Sequence, residues 1–426
     1  MRVVILGSGG REHALAFKIA ESPKLEKLYI LPGNPGTKNL GCNIAININD
    51  QENIISFCVE NKIDLVVVGP EKPLVEGLTD KLVKYGIKVF GPSKEAARIE
   101  GEKSFAKELM KKNNIPTADF EVFHKEDYSK ALSYLEQINY PIVLKADGIA
   151  AGKGVIIAEN FENAKETVTD IFEKSVFGSA GDKLVIEEFM TGQEASVFAI
   201  TDGTEFVILP AAQDHKRIFD GDKGKNTGGM GAYAPTPFVN KEDLEKIIEI
   251  VIKPTLNGMK KNGSPFIGCL YCGLMMTNSG PKVVEFNCRF GDPESQAVLP
   301  LLKGDFLDLL YSAACGEINK DSVKYNGGAS VSVVAASGGY PDKYLKGKEI
   351  FGLEKFINSK DVIVFQAGTK EIEGKIVTDG GRVLDITSIY EENDLSKAKS
   401  IAYDAIHCIN FEGIQYRKDI SDKAII

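Results

Sequence analysis

Three polar side chains alternate along one strand-like run near residue 287. The sequence VVEFNCR, residues 283–289, places Glu285, Asn287 and Arg289 two residues apart. Because alternate residues of a strand face the same side, the carboxylate, the amide and the guanidinium should point together. Carboxylate and amide oxygens suit a hard cation such as Mg²⁺. The run therefore predicts a cation site at Glu285 and Asn287 with Arg289 beside it, whereas a purely structural polar row is the alternative.

A glycine-rich loop follows an apolar strand that ends near Lys145. The loop reads DGIAAGKG, residues 147–154. A P-loop is excluded, since the spacing between glycines is one residue short, Gly154 replaces the magnesium-binding Ser or Thr, and a strand follows instead of a helix. What remains is a hairpin whose glycines and Lys153 could fold over a triphosphate, or an ordinary flexible turn. Lys145 could meet a phosphate, or simply cover apolar surface with its stem.

Further polar clusters allow both a functional and an ordinary interpretation. The strand end VIEEF, residues 185–189, could border a purine ring or carry edge-strand charges. The clusters QDHKR, residues 213–217, and NTGGMGA, residues 226–232, could surround a charged small molecule or form exposed loops. The opening GSGG, residues 7–10, lacks the third glycine and the ribose-binding acid of a dinucleotide fingerprint. A phosphate of another ligand could still bind there, or the glycines could form only a tight turn.

Cys269 and Cys272 form a C-x-x-C within an apolar, strand-like run. Residues three apart on a strand face opposite sides, so these thiols cannot chelate one ion together. Cys288 does not complete a four-ligand zinc pattern. With four histidines in the chain and no Ser-His-Asp or zinc spacing among them, hydrolase and zinc-enzyme interpretations lose support.

Composition sets the broad class. The 426 residues exceed what one core usually holds, so we expect three or four domains. The net charge of -9 argues against nucleic acid as a partner. No segment is long and apolar enough for a membrane span or a signal-peptide core. Seven scattered cysteines fit a reducing compartment. We therefore expect a cytoplasmic protein without membrane association, either a monomer or a small homo-oligomer.

Strand and helix patterns alternate through the first hundred residues, which predicts a Rossmann-like parallel sheet. The segments expected to be helical begin near Arg11, Asp50 and Leu74, and one helix is expected over residues 100–113. From about residue 120 the predicted pattern changes to α+β, and two strands joined by the glycine loop are expected to form a hairpin. The last hundred residues are rich in short predicted strands.

The order of these motifs resembles the ATP-grasp superfamily, in which two α+β units enclose ATP. Within it, the chain is similar to the phosphoribosylamine–glycine ligase family at residues 7–14, 68–71, 145–155, 213–217, 226–233 and 285–294. The resemblance extends over nearly the whole chain. It implies a Rossmann-like domain at 1–100, a central ATP-grasp domain at 101–122 and 190–325, a lid subdomain at 123–189 and a β-rich α+β domain at 326–426.

The resemblance also implies roles for individual residues. Lys103 and Lys145 would hold ATP phosphates, with Gly152, Lys153 and Gly154 as the closing loop. Adenine would lie among Glu187, Glu188 and Phe189, and Glu194 would bind the ribose. Mg²⁺ or Mn²⁺ would bind Glu285 and Asn287, although the carboxylate that many relatives carry on the strand at 268–276 is missing here. The substrate contacts implied are Asp214, Arg289 and Gly291 for glycine and Gly9 and Gly10 for the phosphate of phosphoribosylamine.

The implied reaction is ATP-dependent ligation of glycine to 5-phosphoribosylamine through a glycyl phosphate, with Arg289 and Lys145 as the catalytic groups. No nucleophilic side chain is required, which agrees with the lack of a triad. Two alternatives stay open from the sequence. One is another ATP-grasp ligase that uses bicarbonate or a different amine, and the other is an adenine-nucleotide sensor without turnover.

Overall fold

The computed structural model describes residues 1–148 and 154–425 of the chain. Its first hundred residues form a five-stranded parallel sheet in the order β3-β2-β1-β4-β5. Side chains alternate between two cores, since Val4 and Leu6 pack on one face and Val3 and Ile5 on the other. The strands are β1 (Arg2–Gly7), β2 (Lys27–Pro32), β3 (Cys42–Asn43), β4 (Leu65–Val68) and β5 (Lys88–Phe90).

Five helices cover this sheet, and the predicted parallel α/β start is confirmed. The region expected to be one helix near Leu74 contains two, because Gly77 takes a left-handed conformation with φ of 84° between them. The helices are α1 (Gly10–Ala20), α2 (Gln51–Glu60), α3 (Glu71–Val75), α4 (Leu78–Val83) and α5 (Lys94–Gly101), with a short 3-10 helix at Pro35–Asn39.

The single helix expected over residues 100–113 was wrong. Helix α5 ends at Gly101, and α6 (Lys103–Lys112) begins after Glu102, whose backbone is extended. The carboxylate of Asp147 accepts hydrogen bonds from the backbone N–H and the hydroxyl of Ser104. The break therefore lets the first turn of α6 bind the base of the glycine loop.

The next unit is a four-stranded antiparallel sheet in the order β6-β9-β7-β8. Strands β7 and β8 form the predicted hairpin around the glycine loop. Strand β9 lies inside the sheet, so the interpretation of its acidic end as edge-strand protection was wrong. The elements are β6 (Phe120–His124), α7 (Tyr128–Leu135), β7 (Ile142–Ala146), β8 (Val155–Ala158), α8 (Phe161–Phe172) and β9 (Lys183–Glu188), with 3-10 turns at Lys125–Asp127 and Gly178–Gly181.

A second four-stranded sheet, in the order β11-β10-β16-β17, carries most of the predicted site. Cys269 and Cys272 on β16 pack into different cores, as predicted from their spacing. The strands are β10 (Gln193–Asp202), β11 (Phe206–Ile208), β16 (Ile267–Thr277) and β17 (Gly280–Asn287). Between β11 and β16 lie β12 (Gln213–Asp214), β13 (Arg217–Phe219), β14 (Lys223–Asn226), β15 (Gly231–Ala234), α9 (Lys241–Ile247), a π-helical turn Ile248–Ile252 and α10 (Lys253–Lys261).

The final region shares a sheet with the central one, in the order β12-β15-β20-β24-β21. This pairing connects the strand of Asp214, through β15 and β20, to strand β24 near the end of the chain. The elements are α11 (Glu294–Val298), a 3-10 turn Leu299–Leu301, β18 (Leu302–Gly304), α12 (Phe306–Cys315), β19 (Val323–Tyr325), β20 (Ala329–Ala336), β21 (Val362–Gln366), β22 (Thr369–Ile372), β23 (Lys375–Thr378), β24 (Arg382–Tyr390) and α13 (Leu395–Ile406), with 3-10 turns at Leu353–Phe356 and Asp422–Ala424. Over residues 1–148 and 154–425, no helix combines the length and apolar character needed to cross a bilayer.

Candidate active site

The base of the glycine loop lies against strand β17. Lys145, at the end of β7, donates from Nζ to the Val284 carbonyl at 3.0 Å. Lys103, the first residue of α6, donates from Nζ to the Gly148 carbonyl at 2.8 Å. Burial and the nearby Lys145 lower the pKa of Lys103, although Glu285 opposes the shift. The structure thus brings both predicted phosphate-binding lysines to the strand of the predicted cation site.

Glu187 lies between two buried lysines. Its Oε1 is 2.9 Å from Lys145 Nζ, and its Oε2 is 3.0 Å from Lys107 Nζ. Burial lowers the pKa of Lys107 to about 8 against the opposing charge of Glu187. Because Lys145 and Lys107 share one carboxylate, an uncompensated positive charge remains for an anion.

Glu285, Asn287 and Arg289 lie side by side, as the alternation predicts. Asn287 Nδ2 is 3.5 Å from Glu285 Oε1, and Arg289 Nη2 donates to Asn287 Oδ1 at 3.2 Å. Burial alone would raise the pKa of Glu285, but the charges of Lys216, Lys145, Lys103 and Arg289 outweigh it and lower that pKa. Glu285 is therefore ionised at neutral pH, as a cation ligand must be.

Two carboxylates from the first hundred residues hold Arg289. Its Nη2 is 3.1 Å from Glu100 Oε1, and its Nε is 3.4 Å from Glu71 Oε2. Burial would lower the pKa of Arg289, and the two carboxylates instead raise it. The guanidinium is thus fixed in orientation between the Rossmann-like domain and β17.

Asp214 lies on β12 within a group of acidic and basic side chains. Burial raises the pKa of Asp214 to about 7, an effect opposed by Lys216 and reinforced by Glu294 and Glu194. Lys216 Nζ is 2.8 Å from Glu194 Oε2. The buried Glu294 accepts hydrogen bonds from two hydroxyls, those of Tyr271 at 2.9 Å and Ser196 at 3.1 Å.

Gly291 packs directly against Glu294, where a Cβ would meet the carboxylate at 2.5 Å. Gly9 and Gly10 lie at the amino end of α1, where Gly9 N donates to Glu12 Oε2 at 2.7 Å. Glu188 is the last residue of β9, and its Oε1 is 2.7 Å from Lys282 Nζ. The next residue, Phe189, is 40% exposed. Gly154 O accepts from Ala146 N at 2.9 Å. The predictions for Gly152 and Lys153 fall outside the described residues.

Comparisons with known proteins identify one family along the chain. Three family descriptions match in succession, namely the phosphoribosylglycinamide synthetase N domain over residues 1–100, its ATP-grasp (A) domain over 101–295 and its C domain over 330–423. Phosphoribosylamine–glycine ligase of Caldanaerobacter subterraneus subsp. tengcongensis is 47% identical over 421 residues, which cover 99% of each chain. The chain belongs to the phosphoribosylamine–glycine ligase family.

Solved structures agree with this assignment. The crystal structure of phosphoribosylamine–glycine ligase from Thermotoga maritima superposes with a TM-score of 0.85 at 36% identity, covering 99% of this chain and 100% of that one. The biotin carboxylase domain of the Hydrogenobacter thermophilus 2-oxoglutarate carboxylase shares only the fold, with a TM-score of 0.74, 16% identity, and coverage of 97% and 91%.

Membership of the phosphoribosylamine–glycine ligase family decides between the open interpretations. The chain is an ATP-dependent ligase with phosphoribosylamine–glycine ligase activity in purine biosynthesis. The alternatives of a bicarbonate-using ligase and a nucleotide sensor are set aside, since the biotin carboxylase likeness is one of fold alone.

Several residues of the site were not singled out from the sequence. They are Glu71, Glu100, Lys107, Glu294 and, at the amino end of α1, Asp292, Gln296, Arg382 and Asp385. Glu71, Asp292 and Glu294 lie inside motifs that carried the family resemblance, which was the one available signal. Asp385 and Arg382 are separated from α1 by more than 300 residues of sequence, and no local pattern marks them.

Proposed function

We propose that the ligase activates glycine as glycyl phosphate and then transfers the glycyl group to the amine of phosphoribosylamine. The glycine carboxylate would attack the γ-phosphorus of ATP and release ADP. The amine nitrogen would attack the acyl carbon, inorganic phosphate would leave, and the nitrogen would lose a proton. The observation that supports this path best is the convergence of Lys103, Lys145 and Arg289 around Glu285.

The nucleotide would lie between the hairpin β7–β8 and strand β17. Lys103 and Lys145, which lie at the base of the glycine loop, would hold its phosphates, with residues 152–154 as the predicted closing loop. Phe189 is half-exposed at the end of β9 and free to cover a purine ring beside the backbone of residues 187 and 188. Glu194, held by Lys216, would accept the ribose hydroxyls.

Glu285 and Asn287 fit a hard divalent cation, because they lie side by side and Glu285 is kept ionised. Asn287 Oδ1, which accepts from Arg289 Nη2, would turn toward the ion. Over residues 1–148 and 154–425, no set of three His, Cys, Asp or Glu side chains is arranged for a metal. Phosphate oxygens and water would thus complete the shell of Mg²⁺ or Mn²⁺, as Mg²⁺ prefers. When bound, the ion neutralises charge on the transferring phosphoryl group. The ATP-grasp neighbour from Hydrogenobacter was crystallised with MgADP, which supports this choice.

Glycine would bind between Asp214 and Arg289. The Asp214 carboxylate would accept from the glycine ammonium, and Arg289 would orient the carboxylate toward the γ-phosphate. Gly291 lets the chain pass close to Glu294 at this point. Because phosphoryl transfer mainly needs positioning and positive charge, these groups suffice without a nucleophilic side chain.

The proposal is tested by the fate of the glycine oxygens. Glycine labelled with ¹⁸O in its carboxylate should transfer one labelled oxygen to the released phosphate, because the acyl phosphate breaks between carbon and oxygen. ADP release should require ATP, glycine and freshly generated phosphoribosylamine, each omitted in turn. Unlabelled phosphate from an active enzyme would rule out glycyl phosphate.

A further inference from the structure

Three distant parts of the chain meet at the amino end of helix α1. Gly10 begins this helix, Gln296 lies on α11 and Asp385 lies on β24. A Cβ atom on Gly10 would overlap both Asp385 Oδ2 and Gln296 Nε2. The absence of a side chain at Gly10 therefore allows the two polar groups to reach the helix end.

Two oxygens of this group lack partners. Asp385 Oδ1 and Gln296 Oε1 are buried and accept no hydrogen bond from any described residue. Asp385 is 1% exposed and Gln296 is 0% exposed. A buried polar atom without a partner is unfavourable, because it has given up its hydrogen bonds to water and gained none in return. Two such atoms close together indicate a ligand that brings its own donors.

The neighbouring groups are fully engaged, which leaves those two oxygens as the free ones. Asp292 Oδ1 accepts from Gln296 Nε2 at 2.8 Å, and Asp292 Oδ2 is 3.0 Å from Arg382 Nη2. Arg382 Nη1 also donates to the Gly228 carbonyl at 2.7 Å. The side chains of Asp292 and Arg382 are 18% and 21% exposed, so the cluster reaches the surface at this pair.

The charged side chains at the amino end of α1 indicate which type of ligand can bind there. Asp292, Asp385 and Glu12 all lie at this helix end, and Glu12 already accepts the Gly9 N–H. Arg11 pairs with Glu12 and Arg382 pairs with Asp292, which leaves Asp385 as the carboxylate without an arginine partner. An anionic group beside Asp385 is therefore disfavoured, whereas hydroxyl groups supply the missing donors without charge. A sugar ring with adjacent hydroxyls satisfies both free oxygens at once.

We propose that Asp385 and Gln296 bind hydroxyl groups of the pentose ring of the amine substrate. This inference rests on the proposed function and adds residues of the C-terminal region to the site. Asp292 lies three residues after Arg289, so the ring would lie next to the groups that handle glycine. Asp385 and Gln296 are then specificity-determining residues for the sugar, and Gly10 contacts the ring whose phosphate was predicted there.

The test compares sugars that lack one hydroxyl. Ammonia and ribose 5-phosphate generate the amine in place, and 2-deoxyribose or 3-deoxyribose 5-phosphate replaces the sugar in parallel assays. A site built to hydrogen-bond a hydroxyl rejects the deoxy analogue strongly, so the wild type should favour the ribosyl amine by roughly 100-fold or more in kcat/KM. Asp385→Asn and Gln296→Met should reduce this preference to less than about tenfold.

The same variants should raise the KM for the ribosyl amine about tenfold and leave the KM for glycine and ATP within about twofold. Asp379 is an exposed carboxylate of the same region, so Asp379→Asn is the matched control and should retain wild-type selectivity.

Equal use of all three sugars by the wild type would overturn the inference even if a variant failed to fold. Asp385 Oδ1 and Gln296 Oε1 would then bind only water. Full selectivity in folded variants would overturn it as well. If the wild type releases no glycine-dependent ADP with the ribosyl amine, the proposed function itself fails.

Discussion

The two ends of the site differ in the sign of their charge. The end proposed for the nucleotide, called the nucleotide end, consists of Lys103, Lys107 and Lys145 around the carboxylates Glu187 and Glu285. The end proposed for the pentose, called the sugar end, consists of Asp292, Gln296, Arg382 and Asp385 at the start of α1. Cations outnumber carboxylates at the first end, and carboxylates outnumber cations at the second. The difference matches a polyphosphate at one end and a hydroxyl-rich ring at the other.

Each end also has a different origin in the chain. The nucleotide end combines α6, the hairpin strand β7, β9 and β17. The sugar end combines α1, α11 and β24, which lie far apart in sequence. Arg289 stands between the two ends, tied to Glu71 and Glu100. Changes at Arg289 should therefore affect both ends, and changes within either end should affect one substrate.

The largest effect is expected for Arg289→Ala. Losing this guanidinium should lower kcat about 10³-fold, because the glycine carboxylate loses the group that orients it toward the γ-phosphate. It also removes the cation that pairs with Glu100 and Glu71, which should cost about 2–4 kcal/mol of unfolding free energy. Steady-state kinetics and urea unfolding measure the two effects.

A matched pair of variants separates the two roles of Arg289. Arg289→Lys keeps the charge but loses the planar fork, so it should recover most of the stability and little of the activity. Arg289→Ala combined with Glu100→Gln should also recover stability without activity. A Lys variant with more than about a third of wild-type kcat would contradict the orienting role given to the guanidinium.

The second largest effect is expected at Asp214, where the use of glycine should depend on pH. Burial raises the pKa of Asp214 to about 7, so the carboxyl gains a proton as the pH falls below 7 and loses its attraction for the glycine ammonium. The kcat/KM for glycine should fall up to about tenfold per pH unit below 7. In the Asp214→Asn variant, the kcat/KM for glycine should be low and should not change with pH. The exposed Asp342→Asn is the control, and a profile for Asp214→Asn that still bends near pH 7 would assign the titration elsewhere.

The third effect is confined to ATP. Lys107→Met leaves Glu187 paired with Lys145 alone, which neutralises the ammonium meant for phosphate. The KM for ATP should rise about tenfold while the KM for the ribosyl amine and kcat change less than about threefold. Lys111→Met, on the exposed side of the same helix, should behave as wild type. An equal rise in the KM of the ribosyl amine would contradict the separation of the two ends.

The smallest effect is expected for the thiols of β16. Cys269 and Cys272 are buried in separate cores. Either Cys→Ala change should lower the unfolding free energy by about 1 kcal/mol through lost packing and leave kcat within about twofold. A loss of bound metal or a tenfold loss of activity would show that the pair serves the reaction.

Local patterns predicted much of the molecule correctly. Period-two alternation placed Glu285, Asn287 and Arg289 side by side and sent Cys269 and Cys272 to opposite cores, because a strand has the same periodicity in any fold. The predicted hairpin around the glycine loop was confirmed, because its two strands and their loop are neighbours in the sequence. The helix break at Glu102 was missed because it depends on Asp147, which lies 43 residues after Ser104.

The sequence by itself determined the strand faces, the parallel start of the chain, the family and the residue types available for phosphate and cation binding. Tertiary structure alone decided that Lys107 and Lys145 share Glu187, that Glu71 and Glu100 hold Arg289, and that Asp385 reaches Gly10. The physical reason is that periodicity is encoded within a few neighbouring residues. Pairing of buried charges depends on which distant elements pack together, and that choice is made by the whole core.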